Sequence, residues 1–253
     1  MRADLFLVDN GYAKSRAEAQ AAIKTGNVFA DGKPVSKPSQ NLSKSMQIEY
    51  APAHPYVSRG ALKLIAALDR FGLSPEGLTC LDLGASTGGF SEVLLERGAR
   101  MVFAVDVGHD QLHAQIASDP RVVSIEHQNA RDLSTKSLVG SPEAIVADLS
   151  FISLRLGLPP ALRMAAPNAW LIALFKPQFE VGRDKIGKGG IVKDSFSRTR
   201  ELIGFLQWLN GQGDWRFLSP PFIESPILGA DGNLEFLVAA RNDGLFRPLG
   251  QVG

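Results

Sequence analysis

A strand, a glycine-rich turn and a helix follow one another in residues 79–97, and this order constrains the fold more than any other sequence feature. The apolar run Thr79–Leu83 predicts a buried strand, and a helical pattern continues to about Arg97 after glycines at positions 84, 88 and 89. Further strand-like runs, separated by helical patterns, lie at residues 101–107, 122–125, 144–147 and 170–175. Strands that alternate with helices predict βαβ units, and therefore an α/β fold with a mostly parallel sheet covered on both faces.

Size and cysteine content limit the class of protein. A chain of 253 residues is long enough for one large domain and one small domain. Its single cysteine, Cys80, falls inside the first predicted strand, which excludes a disulfide framework and a zinc site built from cysteines. The sequence contains no run of about 18 apolar residues, and its first residues lack the long apolar segment of a secretion signal. These features predict a cytoplasmic protein without stable membrane association.

Charge is distributed unevenly along the chain. Residues 1–60 contain eight Lys and Arg against five Asp and Glu, whereas the remainder contains 19 against 21. The formal net charge of +1 therefore conceals a cationic first part. Such a part suits the binding of a polyanion, because neutralised phosphates release counterions, although an ordinary solvated surface has similar charge.

Helices followed by a small hairpin are predicted for this cationic part. Ser15 and Glu18 have the spacing of a capping box, in which the two side chains reciprocally bind backbone N–H groups at a helix start. A helix over about residues 16–25 then ends at Gly26. The turn signal at residues 31–32 separates two short runs that predict the hairpin.

The same part of the chain resembles the S4 RNA-binding domain over about residues 1–50. The resemblance rests on the motifs Arg2-Ala3-Asp4-Leu5, Ser15-Arg16-Ala17-Glu18-Ala19 and Ile23-Lys24-Thr25-Gly26-Asn27-Val28-Phe29-Ala30-Asp31-Gly32. In that family the second helix and the following hairpin face RNA. The resemblance therefore implies RNA contacts by Lys14, Arg16, Lys24, Lys33 and Lys37. Each of these cations, taken singly, is equally well explained as a solubilising surface residue.

Two prolines, Pro52 and Pro55, restrict the backbone after this part and mark a domain boundary. We predict an S4-like domain in residues 1–52, a linker in residues 53–58 and a larger domain in residues 59–253. The sequence contains neither an internal repeat nor a low-complexity tract.

The glycine-rich turn at residues 84–89 allows three interpretations. Glycines there let a ligand approach the backbone and the N–H groups of the helix start. A nicotinamide cofactor would require the pattern G-x-G-x-x-G, which this segment lacks. The segment matches the G-x-S-x-G nucleophile elbow of a hydrolase, but that fold needs a histidine late in the chain, and the last histidine is His127.

The third interpretation is a methyltransferase that uses S-adenosylmethionine, because Asp82–Phe90 resembles the first motif of that class. Asp106 ends the next predicted strand, where its carboxylate suits the hydroxyls of a ribose. The resemblance implies that Asn129 lies beside the adenine. The cofactor-binding residues that it implies are Asp82, Gly84, Ala85, Ser86, Thr87, Gly88, Gly89, Phe90, Asp106, Asn129 and Asp148. Asp106 and Asn129 could instead cap helices or turns.

Four polar residues occupy positions where apolar or neutral residues are expected. They are Lys63, Asp148, Lys176 and Glu235. Asp148 and Lys176 end predicted strands, and ligands of open parallel sheets bind beyond the carboxyl ends of the strands. The four resemble the Lys-Asp-Lys-Glu tetrad of the FtsJ-type RNA 2′-O-methyltransferases. For any one of them alone, a structural ion pair is the alternative explanation.

Nearly the whole chain resembles the TlyA family, which joins an S4 domain to an FtsJ-like domain and is also labelled haemolysin-like. The motifs that carry the resemblance lie at residues 57–64, 85–90, 147–153, 176–182 and 232–236. They include Ser58-Arg59-Gly60-Ala61-Leu62-Lys63, Ala147-Asp148-Leu149-Ser150-Phe151-Ile152-Ser153 and Lys176-Pro177-Gln178-Phe179-Glu180. The resemblance implies a Rossmann-like domain with a seven-stranded sheet, S-adenosylmethionine as cofactor, and 2′-O-methylation of cytidine in ribosomal RNA or ribosomal subunits.

The resemblance and the chemistry together give roles to the four polar residues. Lys176 is the expected base that takes the proton of a ribose hydroxyl, and Asp148 and Glu235 are expected to orient the ammonium groups. A lysine acts as a base only where burial or a neighbouring cation favours its neutral form, and Lys63 would supply that cation. The reaction requires no metal, because the methyl donor carries its own activation as positive charge.

Two further expectations concern the surroundings of this site. Arg59 is assigned to RNA binding, and the glycine- and lysine-rich segment 179–190 is predicted to be a mobile loop over the site. A non-catalytic RNA-binding or ribosome-assembly factor is the alternative function from another class. A membrane-active haemolysin is a third possible function, but the sequence lacks a spanning segment and a strongly amphipathic cationic helix. S4 domains also precede the catalytic domains of pseudouridine synthases, yet the chemistry of those enzymes gives no role to Lys176.

Overall fold

Two compact units, Met1–Pro55 and Tyr56–Gly253, make up the chain. The computed structural model describes residues 1–182, 185–229 and 231–244. The elements of the first unit are α1 Ala3–Asp9, α2 Arg16–Lys24, β1 Val28–Ala30, β2 Lys33–Pro34 and β3 Ile48–Tyr50. The strands form an antiparallel sheet in the order β2-β1-β3. The predicted helix and hairpin are therefore confirmed, and the turn residues Asp31 and Gly32 both have positive φ.

Helix α2 begins with a bond pattern that differs from the predicted capping box. The Ser15 hydroxyl accepts the N–H of Glu18 at 3.2 Å, as predicted. The Glu18 carboxylate reaches one residue further back and accepts the N–H of Lys14 at 2.9 Å, rather than that of Ser15. Its other oxygen accepts the Tyr50 hydroxyl at 3.1 Å, which ties the start of α2 to β3.

A buried carboxylate, Asp4, connects α1 with α2. It accepts bonds from Arg2 Nε at 3.0 Å, from Arg16 Nη2 at 3.0 Å and from Gln20 Nε2 at 2.7 Å. The bonds from Arg2, with smaller contributions from Gln20 and Arg16, hold the pKa of Asp4 well below its usual value. Arg16, predicted from the sequence as an RNA contact, also pairs with Asp4 through its guanidinium, because a buried carboxylate requires a cationic partner.

The replacement Asp4→Asn is expected to destabilise the first unit by about 2 kcal/mol at pH 7, because charge-assisted bonds to a buried carboxylate are lost. The depressed folded-state pKa gives stability that is present above the unfolded value of about 4 and is lost as the pH falls below it. Hydrogen-exchange protection of residues 1–55 in the full chain should therefore drop at pH 7, and the difference from wild type should shrink towards pH 3. Asp9→Asn removes an exposed carboxylate as the control. An equal loss of protection in both variants would contradict the assignment.

The second unit contains seven strands and seven α-helices among its described residues. In chain order they are α3 Gly60–Phe71, β4 Thr79–Leu83, α4 Gly89–Glu96, β5 Met101–Val105, α5 Ala114–Ala117, β6 Val122–Ile125, β7 Ala144–Ala147, α6 Leu154–Gly157, α7 Pro159–Met164, β8 Trp170–Phe175, α8 Pro177–Glu180, α9 Ser195–Asn210, β9 Trp215–Glu224 and β10 Phe236–Asn242.

These strands form one sheet in the order β6-β5-β4-β7-β8-β10-β9. Strands β4 to β8 run parallel, and β10 runs antiparallel to both β8 and β9. The predicted α/β class and the mostly parallel, Rossmann-like sheet are confirmed. Strand β5 ends at Val105 instead of residue 107, because the Asp106 side chain turns to bind the N–H groups of Ser86 and Gly108.

Alternate residues of β4 point to opposite faces of the sheet. Leu81 and Leu83 belong to the apolar cluster formed with helices α7 and α9. Cys80 belongs to the cluster on the other face, formed with helices α3 and α4. Asp82 shares the face of Cys80, and its carboxylate accepts the hydroxyl of Ser91 in α4.

Candidate active site

The carboxyl ends of four parallel strands meet at one edge of the sheet. Pairing of Leu83 with both Val105 and Ala147 aligns the ends of β4, β5 and β7. Strand β10 begins at the same edge, since it is antiparallel and pairs Phe236 with Phe175 at the end of β8. The residues that directly follow the four parallel strands are Gly84, Asp106, Asp148 and Lys176.

The four predicted catalytic residues line one cleft of about 270 Å³. Lys63, from helix α3, pairs with Glu235, which directly precedes β10, and Nζ lies 2.5 Å from Oε2. Lys176 pairs with Asp148, and its Nζ lies 2.6 Å from Oδ1. Both lysine side chains are only 10% exposed. The cleft therefore contains two largely buried lysine side chains, each paired with a carboxylate.

The glycine-rich turn packs against the backbone of Asp148. Gly84 has a φ of +82°, and a Cβ there would lie 2.7 Å from the Asp148 carbonyl oxygen, so a side chain does not fit. Asp106 accepts the N–H of Ser86 at 2.8 Å and that of Gly108 at 2.7 Å. These bonds fix the turn at the mouth of a second, larger cleft of about 1110 Å³, which Gly84, Ser86, Asp106 and Asp148 all line.

Most of the predicted cofactor-binding residues line the two clefts. They are Gly84, Ala85, Ser86, Thr87, Gly89, Phe90, Asp106, Asn129 and Asp148. Asn129 also accepts the N–H of Arg131 at 3.0 Å and caps the helical turn at residues 130–132, as the alternative interpretation expected. Gly88, which directly precedes α4, lines neither cleft, because the side chains of Leu112 and Ile116 pack against it.

Asp82 also lines neither cleft, and its predicted contact with a cofactor is corrected. The side chain is fully buried, and Oδ2 accepts the Ser91 hydroxyl at 2.7 Å. Burial raises the pKa of Asp82 to about 7, with smaller contributions from Asp148 and Asp106, and the bond from Ser91 opposes this shift. Asp82 lies on the face of β4 that α3 and α4 cover, and it links the strand to α4 through Ser91.

Two residues of the loop after β7, Ser150 and Phe151, received no role from the sequence patterns. Ser150 Oγ lies 2.6 Å from Lys176 Nζ. Phe151 is 91% exposed, has a φ of +64° and lies with its ring centroid 5.2 Å from that of Phe179. A positive φ is strained for a bulky residue, and such strain is concentrated at functional sites. The sequence signal for both residues is their place within the motif Ala147–Ser153, which contains Asp148.

The segment 179–190, predicted to be a mobile loop, begins inside a helix. Phe179 and Glu180 belong to α8. The buried Glu180 carboxylate accepts the Ser153 hydroxyl at 2.6 Å and the N–H of Leu154 at 2.7 Å, and burial raises its pKa. The loop prediction is thus wrong for these first residues, because they are helical and the Glu180 side chain is bonded to the start of α6. Arg183 and Asp184 lie outside the described residues.

Asn233 fixes the far end of the same segment. Its buried side chain accepts the N–H of Val192 at 3.0 Å and donates to the carbonyl of Gly190 at 2.9 Å. Because Asn233 precedes Glu235 by only two residues, this end of the segment is tied to the part of the chain that carries the second ion pair.

The cations predicted to bind RNA are exposed. They are Lys14, Arg16, Lys24, Lys33 and Lys37 in the first unit and Arg59 in the second. Arg59 directly precedes α3 and lines the smaller cleft together with Lys63. Within residues 1–182, 185–229 and 231–244, no helix is long and apolar enough to cross a membrane, and no group of three or more His, Cys, Asp or Glu side chains is arranged to hold a metal ion.

Comparison with known proteins identifies both units. The profile of the FtsJ-like methyltransferases matches residues 56–242, and that of the S4 domain matches residues 1–48. The 16S/23S rRNA (cytidine-2′-O)-methyltransferase TlyA of Mycobacterium tuberculosis is 42% identical over 95% of this chain and 89% of its own length. Hemolysin A of Brachyspira hyodysenteriae is 40% identical over 94% of this chain and 98% of its own length. A solved structure assigned as a hemolysin from Streptococcus thermophilus has a TM-score of 0.76 at 36% identity, and the match covers 96% of this chain and 88% of that one. With both profiles and relatives that match over nearly its whole length, the chain belongs to the TlyA family of FtsJ-like methyltransferases.

Proposed function

We propose that the chain methylates a ribose 2′-hydroxyl, that of a cytidine, in ribosomal RNA, with S-adenosylmethionine as methyl donor. One observation carries the proposal. Asp148 is contacted by the glycine-rich turn through its backbone and by Lys176 through its side chain, so a donor site and a base adjoin. The activity for which the Mycobacterium tuberculosis relative is named, 16S/23S rRNA (cytidine-2′-O)-methylation, supports ribosomal RNA as the substrate.

The residues of the clefts fit such a donor. The turn from Gly84 to Gly89 offers its backbone to a ligand. A side chain does not fit at either end of it, because a Cβ at Gly84 would clash with Asp148 and a Cβ at Gly89 would clash with Ser58. Asp106 uses both carboxylate oxygens to bind the turn, and each oxygen keeps a lone pair for a ribose hydroxyl. Asn129 lines the same larger cleft, and we assign it to the adenine of the donor.

The chain's own residues then divide the chemistry between them. When bound, S-adenosylmethionine supplies an electrophilic methyl group on sulfonium sulfur and is released as S-adenosylhomocysteine after transfer. Lys176 Nζ takes the proton of the 2′-hydroxyl as the new oxygen–carbon bond forms, and Asp148 orients that amine. Lys63, held by Glu235, stabilises the negative charge that develops on the oxygen.

Recognition of the RNA is assigned to several parts of the chain. Residues 1–52 act as an RNA-docking domain, residues 53–58 as a linker, and residues 59–253 as the catalytic domain. The five exposed cations of the first unit contact phosphates, and Arg59 contacts RNA at the rim of the smaller cleft. Because the proposed substrate is ribosomal RNA, the proposed place of action is the cytoplasm.

The replacement Phe151→Ala is expected to lower kcat/KM for RNA about 10- to 100-fold, since Phe151 follows Ser150, which binds Lys176, and stacking of its exposed ring on a nucleobase would contribute about 1–3 kcal/mol. Affinity for S-adenosylmethionine should stay within about threefold. Initial rates with radiolabelled donor measure the first quantity, and calorimetry measures the second. Phe196→Ala serves as the control, because Phe196 is also a largely exposed aromatic residue but lines neither cleft. Unchanged kcat/KM in Phe151→Ala would remove the ring from substrate binding.

The function itself is tested with purified chain, ribosomal subunits and S-adenosylmethionine carrying a labelled methyl group. We expect donor binding by calorimetry, and label in 2′-O-methylcytidine after digestion of the RNA to nucleosides. A chain that binds RNA but not the donor would instead be a non-catalytic RNA-binding factor.

The relatives named as hemolysins make membrane lysis a second candidate function. Dye release from lipid vesicles at nanomolar protein, without methyl transfer, would favour it.

A further inference from the structure

We propose that Ser150 is a positioning residue that aims the amine of Lys176 at the substrate hydroxyl. The inference rests on the proposed function and adds a residue to its machinery. Ser150 lies in the loop after β7, and its Oγ is 2.6 Å from Lys176 Nζ. Asp148 Oδ1, from the same loop, is also 2.6 Å from that nitrogen. The proposed base is therefore contacted by two oxygens of one short loop.

The geometry of an amine explains what two contacts achieve. Lysine Nζ is tetrahedral, with one bond to Cε and three further directions. The hydrogen bond from Nζ to Ser150 Oγ fixes one of these directions, and Asp148 Oδ1 approaches the same nitrogen as an ion-pair contact. In the neutral amine, an N–H donated to Ser150 leaves two directions for the second N–H and the lone pair, and the nearby carboxylate of Asp148 repels the lone pair from its own side. The chain thus fixes where Lys176 accepts a proton, and not only where its nitrogen lies.

A hydroxyl group suits this task better than a second carboxylate. The Ser150 oxygen is neutral and accepts an N–H from the amine and from the ammonium form alike. A second negative charge at the same distance would favour the ammonium form and oppose proton uptake. With one hydroxyl and one carboxylate, Lys176 has a neutral hydrogen-bond acceptor in Ser150 and a single counter-charge in Asp148.

The surroundings of Ser150 favour this role over a structural one. Ser150 is exposed and lines the larger cleft, so its hydroxyl is accessible to a bound ligand instead of being buried in the fold. Nearby Ser153, in contrast, has a structural task, since its hydroxyl accepts the N–H of Arg155 and caps α6. The hydrogen bond of the Ser150 hydroxyl that the structure describes goes to Lys176.

The test compares Ser150→Ala with Ser150→Thr in the full chain on ribosomal subunits. Single-turnover methyl transfer should fall about 10- to 100-fold in Ser150→Ala, because a small misplacement of a reacting group costs rates of this order. It should return to within about threefold of wild type in Ser150→Thr, which restores the hydroxyl. Dissociation constants for S-adenosylmethionine and for RNA should not change in either variant. Ser141→Ala, an exposed serine before the amino end of β7, is the matched control.

A double-variant cycle separates positioning from structure. If Ser150 acts only through Lys176, adding Ser150→Ala to Lys176→Ala should change the residual rate by less than about twofold. A full further loss, or a wild-type rate in Ser150→Ala beside an inactive Lys176→Ala, would overturn the role of Ser150 alone. If wild-type chain transfers no methyl group, the proposed function falls and the role of Ser150 falls with it.

Discussion

Replacing Lys176 with alanine is expected to slow methyl transfer by about 10²–10⁴-fold, the usual contribution of a positioned general base. The expectation follows from geometry: the amine lies 2.6 Å from Asp148, is only 10% exposed, and lines the cleft that the glycine-rich turn also lines. Affinity for S-adenosylmethionine should stay within a few-fold, because no proposed donor contact is removed. Single-turnover assays on ribosomal subunits and calorimetry with the donor measure the two quantities.

Two further variants decide whether Lys176 acts as a base or only as a charge. Lys176→Arg keeps the positive charge but does not give up its proton, so it should be as inactive as the alanine variant. Lys136→Ala, which removes an exposed lysine outside both clefts, should be fully active. High activity in Lys176→Arg would show that a cation is sufficient, and full activity in Lys176→Ala would remove the side chain from the mechanism.

The strand framework of the catalytic unit was predictable because buried parallel strands are continuous apolar runs. Strands β4, β6, β7 and β8 have the predicted bounds. Strand β9 was not predicted, since Pro220 and Pro221 interrupt it and it shows no regular burial. Strand β9 tolerates these prolines because it lies at the edge of the sheet, beside β10. A proline has no backbone N–H, and part of the N–H groups of an edge strand have no strand to bind.

The location of the site was predictable, but the partners of its residues were not. Residues that follow parallel strands converge at one edge of the sheet, so Asp148 and Lys176 were expected to lie together. The pairing of Lys63 with Glu235 depends on the place of β10 beside β8 and on the packing of α3, which no local pattern encodes. The same is true of Ser150, whose contact with Lys176 joins residues 26 positions apart.

The pair Lys63 and Glu235 allows a sharp test of catalysis against structure. Glu235→Ala is expected to lower the free energy of unfolding by about 3–5 kcal/mol, since it leaves the ammonium of Lys63, 10% exposed, without its counter-charge. Urea unfolding of the full chain measures the loss. Glu224→Ala, which removes an exposed carboxylate at the end of β9, should cost little.

The double variant Lys63→Met with Glu235→Leu should separate the two roles. Apolar side chains of similar volume often replace a buried ion pair without loss of stability, so the double variant should unfold within about 1–2 kcal/mol of wild type. If the pair serves catalysis, the stable double variant should still transfer methyl groups at least about 100-fold more slowly, because no cation remains to stabilise the developing oxyanion. A stable double variant with the wild-type rate would instead make the pair a structural feature of the fold, and would leave proton transfer to Lys176 with Asp148 and Ser150.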